Sequence, residues 1–127
     1  MSVDLSSGGL TLSFKAGADL SAKQFYFVKM SANDTVALCS GATDKPIGVL
    51  QNKPTSGQIA SVMVIGVTKV SSDAALAVGD IIATQTDGQA EVADSGDYVC
   101  GHVIIASGAA GGLATAVISC SNLSAKA

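Results

Sequence analysis

Reversals cut this chain into short strand-like runs, and no sustained helical period survives between them. Residues 10–14 alternate apolar and polar side chains, and residues 24–30 are rich in aromatic and β-branched ones. Further runs cover 35–39, 46–50, 59–70, 80–84, 89–92, 98–106 and 113–120. Asn33 with Asp34, Thr55 to Gly57, Asp87 with Gly88, and Ser95 to Asp97 separate them. At such reversals Gly supplies positive φ and Asx side chains bond the local backbone. The pattern predicts an all-β fold: a small single-domain β-barrel or sandwich of short antiparallel strands. Helix is limited to single turns at 18–23 or 73–77.

A weak internal repeat runs through these strands. In each half an apolar-anchored loop leads into a strand, a tight turn, a second strand, a polar loop and a Gly-containing strand. Leu20 pairs with Leu76, Phe25 with Ile81, Val36 with Ala90 and Gly48 with Gly101, at an offset that drifts from 56 to 53 residues. Two similar halves can close on each other and cover their open strand edges. On this reading residues 1–15 form a flexible N-terminal arm that can include the first strand. Residues 16–120 form the β-barrel domain, and 121–127 a tail.

The chain has 127 residues, of which 48% are hydrophobic and only 13% charged. Ordinary soluble domains carry about 25% charged residues, so much of this surface is neutral or covered by partners. With seven Lys, no Arg and a net charge of −3, the chain lacks the basic patch of a nucleic-acid binder, and direct DNA or RNA binding is not expected. The polar first nine residues lack the basic start of a signal peptide. No apolar run is long enough to span a bilayer, so no membrane contact is expected and folding in a cytoplasm is.

Residues that could carry chemistry are sparse. Cys39, Cys100 and Cys120 are odd in number and far apart, and read as buried free thiols. The single imidazole is His102, which strict alternation places on one strand face with Tyr98, Cys100 and Ile104. Two such ligands fall short of a zinc site. No serine stands in a nucleophile elbow. Eight of the nine Asp fall at or beside turns, where they cap local backbone. The glycines of 107–112 lack the Lys and helix of a phosphate loop. The expectation is a non-enzyme with no catalytic residues, no metal and no cofactor.

Several stretches resemble one family. Pro46-Ile-Gly-Val-Leu-Gln-Asn-Lys-Pro54 precedes Gly57-Gln-Ile-Ala60 and Val64-Ile-Gly-Val-Thr-Lys-Val70. Leu20-Ser-Ala-Lys-Gln-Phe25 lies upstream, and Gly79-Asp-Ile-Ile82 and Asp97-Tyr-Val-Cys-Gly101 lie downstream. Their order is similar to that of tailed-phage capsid cement proteins, also called head decoration proteins. The similarity runs from about Phe14 to Ile118 and is most specific over 46–70. It implies a small β-barrel or sandwich that assembles as a homo-oligomer, usually a trimer with a dimer as the alternative, on the outer surface of the expanded capsid. There it would bind the major capsid protein and stabilise the shell. The resemblance carries no catalytic residues.

Two surfaces follow as candidates. The N-terminal arm, with Leu10, Leu12 and Phe14 on one strand face, can contact the capsid by adding a strand to an exposed sheet edge; the same residues can equally be the first barrel strand. The small residues Ala74, Ala75, Ala77, Gly108, Ala109 and Gly111 permit close approach between copies. The rival readings are another phage or bacterial structural module, from a tail or a surface, and a non-catalytic carbohydrate-binding barrel. The chain has no Trp to build a sugar platform.

Overall fold

The structure, a computed structural model, describes residues 9–41, 43–84, 86–121 and 123–126. The described residues contain no helix, and neither single helical turn expected at 18–23 or 73–77 forms. The strands are β1 (Leu10–Ala16), β2 (Phe27–Ala32), β3 (Thr35–Leu38), β4 (Pro46–Leu50), β5 (Ile59–Ser71), β6 (Ile81–Thr84), β7 (Ala90–Val92), β8 (Tyr98–Val99), β9 (Gly101–Ile105), β10 (Leu113–Ser119) and β11 (Ser124–Ala125). The expected strand runs are thus present, and the fold is all-β.

The main sheet runs β1-β3-β2-β4-β5-β10-β9-β6-β7, and an additional β1–β5 pairing closes its first five strands into a small barrel. Most pairings are antiparallel, but β1 and β3 pair in parallel, Lys15 with Thr35 and Ala16 with Val36. The remaining strands repeat the arrangement. β6 pairs with β7 and β9, β9 with β10, and β10 with the second part of β5. A parallel bridge between Ser72 and Ala90 closes this second ring, at the place of the β1–β3 pair in the first. One strand, β5, is not short: its 13 residues serve both rings. Its first part pairs with β1 as its second part pairs with β10.

The two halves match residue by residue. Leu20 N donates to Pro54 O at 2.9 Å, and Leu76 N to Ser107 O at 3.1 Å. Gly17 N donates to Val36 O at 2.9 Å, and Asp73 N to Ala90 O at 3.0 Å. The first core holds Ala16, Leu20, Val28, Val36, Leu50, Ala60 and Val62. Their counterparts Ser72, Leu76, Ile82, Ala90, Val103, Ala114 and Ala116 are all buried in the second half. Burying a Val, Leu or Ile contributes about 1.5–3 kcal/mol, so each ring carries its own apolar reason to close. Gly48 and Gly101 are equivalent for a steric reason. A Cβ on either would strike the carbonyl oxygen of the neighbouring strand, Met63 or Val117.

One sequence pairing shifts. Phe25 aligns with Gly79, not with Ile81. Phe25 N donates to Leu50 O at 2.7 Å and Gly79 N to Val103 O at 2.8 Å. Both residues have positive φ, 70° and 89°, which costs a non-glycine residue about 1–2 kcal/mol. Phe27 is therefore the counterpart of Ile81.

Most of the expected arm, residues 1–8, lies outside the described residues. Leu10–Ala16 is β1, a wall strand of the first ring. Of the expected tail, Ser124 and Ala125 pair with Val99 and Tyr98, and Lys126 N donates to Asp97 O at 2.8 Å.

Candidate interaction surface

The three cysteines are free and buried. Burial, with the Asp44 carboxylate next, pushes the Cys39 thiol up to about 12. A hydrogen bond with Cys120 and then burial push Cys100 far above the ordinary thiol range. Thiols held protonated in this way are poor nucleophiles. Strict alternation put Cys100 and His102 on one face, but the strand breaks at Cys100, between β8 and β9. Cys100 is buried and His102 is exposed, so the two do not form a ligand pair.

A group that sequence reasoning missed is acidic. Asp73, Asp87 and Glu91 hold carboxylate oxygens within 4.8 Å of one another, the kind of set that can hold a metal ion. Burial, then a hydrogen bond with Asp73 and the charges of Asp73, Asp87 and Asp94, push Glu91 up to about 7. Hard cations such as calcium take about 6–8 oxygen ligands, and three carboxylates supply only part of that shell. The signal was the repeat itself: by the register, this cluster replaces Gly17, Asn33 and Ala37 of the first half.

The expected contact residues fall into two places. Leu10 pairs with Ile65, and the register shift between Leu10 and Thr11 skips Val64 on β5 and no residue of β1. Leu12 lies opposite Val62 and Phe14 opposite Ala60. Val62 and Ala60 are core residues, and directly opposed residues share a face. Leu12 and Phe14 therefore point into the first ring near its open end. The small-residue loops do come together. Ser72 Oγ donates to Ala109 O at 3.1 Å, and Leu76 N to Ser107 O at 3.1 Å. This leaves Ala74, Ala75, Ala77, Gly108, Ala109 and Gly111 exposed at one end of the second ring.

Two open depressions flank the first ring. One, of about 320 Å³, is lined by Phe25, Gln51, Met63, Val67, Thr68, Lys69 and Thr115. Gln51 Nε2 donates across it to Thr68 Oγ1 at 2.9 Å. The other, of about 710 Å³, is lined by Lys29, Met30, Ser31, Thr43, Asp44 and Lys45. Lys29 Nζ lies 2.9 Å from Asp44 Oδ2. The Lys29 ammonium, with the Ser40 amide, holds the Asp44 carboxyl below its ordinary range.

A row of outward side chains crosses the second ring: Val67 opposite Val117, Val117 opposite His102, and His102 opposite Ile81. Ile81 is 45% exposed and Val117 36%. The counterparts of Val117 and Ile81 in the first ring, Met63 and Phe27, are buried.

No family profile and no curated protein matches this chain. Among solved structures, the head fiber gp8.5 N base of bacteriophage phi29 is similar to it. The TM-score is 0.66 at 22% sequence identity, over 91% of this chain and 98% of that one. The likeness is one of fold. It takes in nearly the whole of both chains, so the arrangement of both rings falls within it.

Proposed function

We propose that this protein is a structural component of a phage virion. In this reading it binds the outer surface of the expanded capsid as a homo-oligomer, a trimer or a dimer, and stabilises the shell. One observation carries the reading: the fold over 91% of this chain is similar to that of a module whose name places it on a phage head. The sequence resemblance to capsid cement proteins adds support from a separate direction. Its most specific stretch forms β4 and β5, and β5 is the strand that both rings share. The partner is the major capsid protein, and neither nucleic acid, membrane nor cofactor enters the mechanism. No catalysis is proposed, since the Cys39 and Cys100 thiols are held protonated.

The physical basis is linkage. A protein that binds the expanded lattice and not its precursor stabilises the expanded state by mass action, in proportion to its differential affinity for the two. Repeated over a shell, linked weak contacts sum to tight retention. The N-terminal arm is the proposed shell contact. Over residues 10–14, β1 pairs with β5 along one edge, and its other edge has no ladder partner among the described residues. An extended segment can add there.

Co-sedimentation of the purified protein with expanded and unexpanded heads tests this. Saturable binding to expanded heads, with occupancy lost on deleting residues 1–9, is the expected result. Absence of binding to either particle rejects the function, and full occupancy by the truncated chain rejects residues 1–9 as part of the contact.

A further inference from the structure

The junction between the two rings is a template that the chain leaves half used. At this junction the open end of the second ring abuts the outer wall of the first. Val70, Cys100 and Ile118, at that end, share one buried cluster with Phe27, Cys39, Val49 and Met63 of the wall. Gly88, at the tip of the β6–β7 hairpin, is pressed against the same wall: Phe27 N donates to its carbonyl at 2.8 Å. A Cβ there would meet Leu38 Cδ1 at 2.6 Å.

The repeat register names the corresponding surfaces that have no occupant within the chain. The end of the first ring carries Leu12, Phe14, Met30 and Ile47, equivalent to Thr68, Val70, Thr84 and Cys100. Leu12 is 38% exposed and Met30 41%, whereas Thr68 and Thr84 are buried. The wall of the second ring carries Ile81, His102 and Val117, equivalent to the buried Phe27, Val49 and Met63. One chain thus exposes both halves of a contact that it already makes once internally.

We propose that these two surfaces dock on each other between copies: the open end of one chain's first ring on the wall of the next chain's second ring. Charge favours the same pairing. Residues 1–65 hold five Lys against four Asp, and residues 66–127 hold two Lys against six carboxylates, so the ends attract in head-to-tail order. Such a contact joins two different surfaces, and it closes into a ring when its rotation permits. It concerns contacts between copies alone, so it stands or falls independently of what particle the protein binds.

The test uses the full chain and needs no capsid. Sedimentation velocity of the purified protein at micromolar concentration is expected to show an oligomer. Met30→Glu breaks the end and Val117→Glu breaks the wall, because each buries an unpaired charge in the contact. Each variant alone is expected to sediment at the mass of one chain, with circular dichroism unchanged. Mixed in equal amounts, they are expected to form a one-to-one pair and nothing larger, through the one intact end and the one intact wall. If either variant unfolds, Leu12→Gln and Ile81→Lys serve in its place. A wild-type chain that stays single, a mixture that stays single, or dissociation by only one of the two variants would overturn the proposal.

Discussion

The two rings share a backbone plan and differ in what lies against them. The wall of the first ring, with Phe27, Val49 and Met63, is buried beneath the second ring. The same positions in the second ring, Ile81, His102 and Val117, face outward. Interior positions are apolar in both copies or differ by small volumes, as closing a ring demands. Outer positions diverge, because each answers to its own neighbour. The comparison separates residues that make the ring from residues that serve what the ring touches.

The sharpest way to break this comparison is at the wall. Phe27→Ala removes a fully buried ring and is expected to cost about 3–5 kcal/mol in urea unfolding. Ile81→Ala, at the equivalent but exposed position, is expected to change the stability of the dilute chain by less than about 0.5 kcal/mol. Equal losses at the two sites would mean that the wall of the second ring is covered within one chain. A second pair should instead behave alike. Gly48→Ala and Gly101→Ala each force a methyl into a neighbouring strand's carbonyl. Each is expected to cost about 3 kcal/mol, the upper range for overpacking. Tolerance at one site with loss at the other would show that the two strand crossings are not equivalent.

Much of the fold was legible because strand alternation and turn chemistry are local. The turns at Asn33–Asp34 and Asp87–Gly88 stand where the sequence puts them, with Asp34 and Gly88 both at positive φ. The repeat was legible from Leu20, Leu76, Gly48 and Gly101, whose burial or close approach leaves little freedom of residue type. It failed at Phe25. There the backbone needs positive φ, and a large side chain fills the place that Gly79 holds in the other copy; residue type gives no hint of that. The sharing of β5 was also hidden, since one long strand and two short ones read alike without partners. The relation of Cys100 to His102 failed where the strand breaks. Of the surfaces, only the exposure of the small-residue loops was legible. The exposed row on the second ring was not, because Ile81 and Val117 look like core residues until their burial is known.

The smallest expected effect separates the rings by charge. In the first ring Asp44 sits beside Lys29, which holds its carboxyl below the ordinary 3.8. A lowered carboxylate contributes stability above the unfolded value, and that contribution is lost as pH falls through the folded one. In the second ring Glu91 is pushed from 4.5 up to about 7 by burial and by Asp73, with Asp87 and Asp94 adding to it. The folded state therefore keeps a proton that the unfolded chain gives up. Stability then declines as pH rises from about 4.5 to about 7 and levels off above. Glu91→Gln should flatten that decline while leaving the acid limb in place, and Asp44→Asn should do the reverse. Glu91 is only half-buried, so water screens the repulsion and the shift in melting temperature should be small. Melting curves taken across this range decide it. A decline that survives Glu91→Gln unchanged would remove the acidic cluster as its source, and with it the electrostatic contrast between the rings.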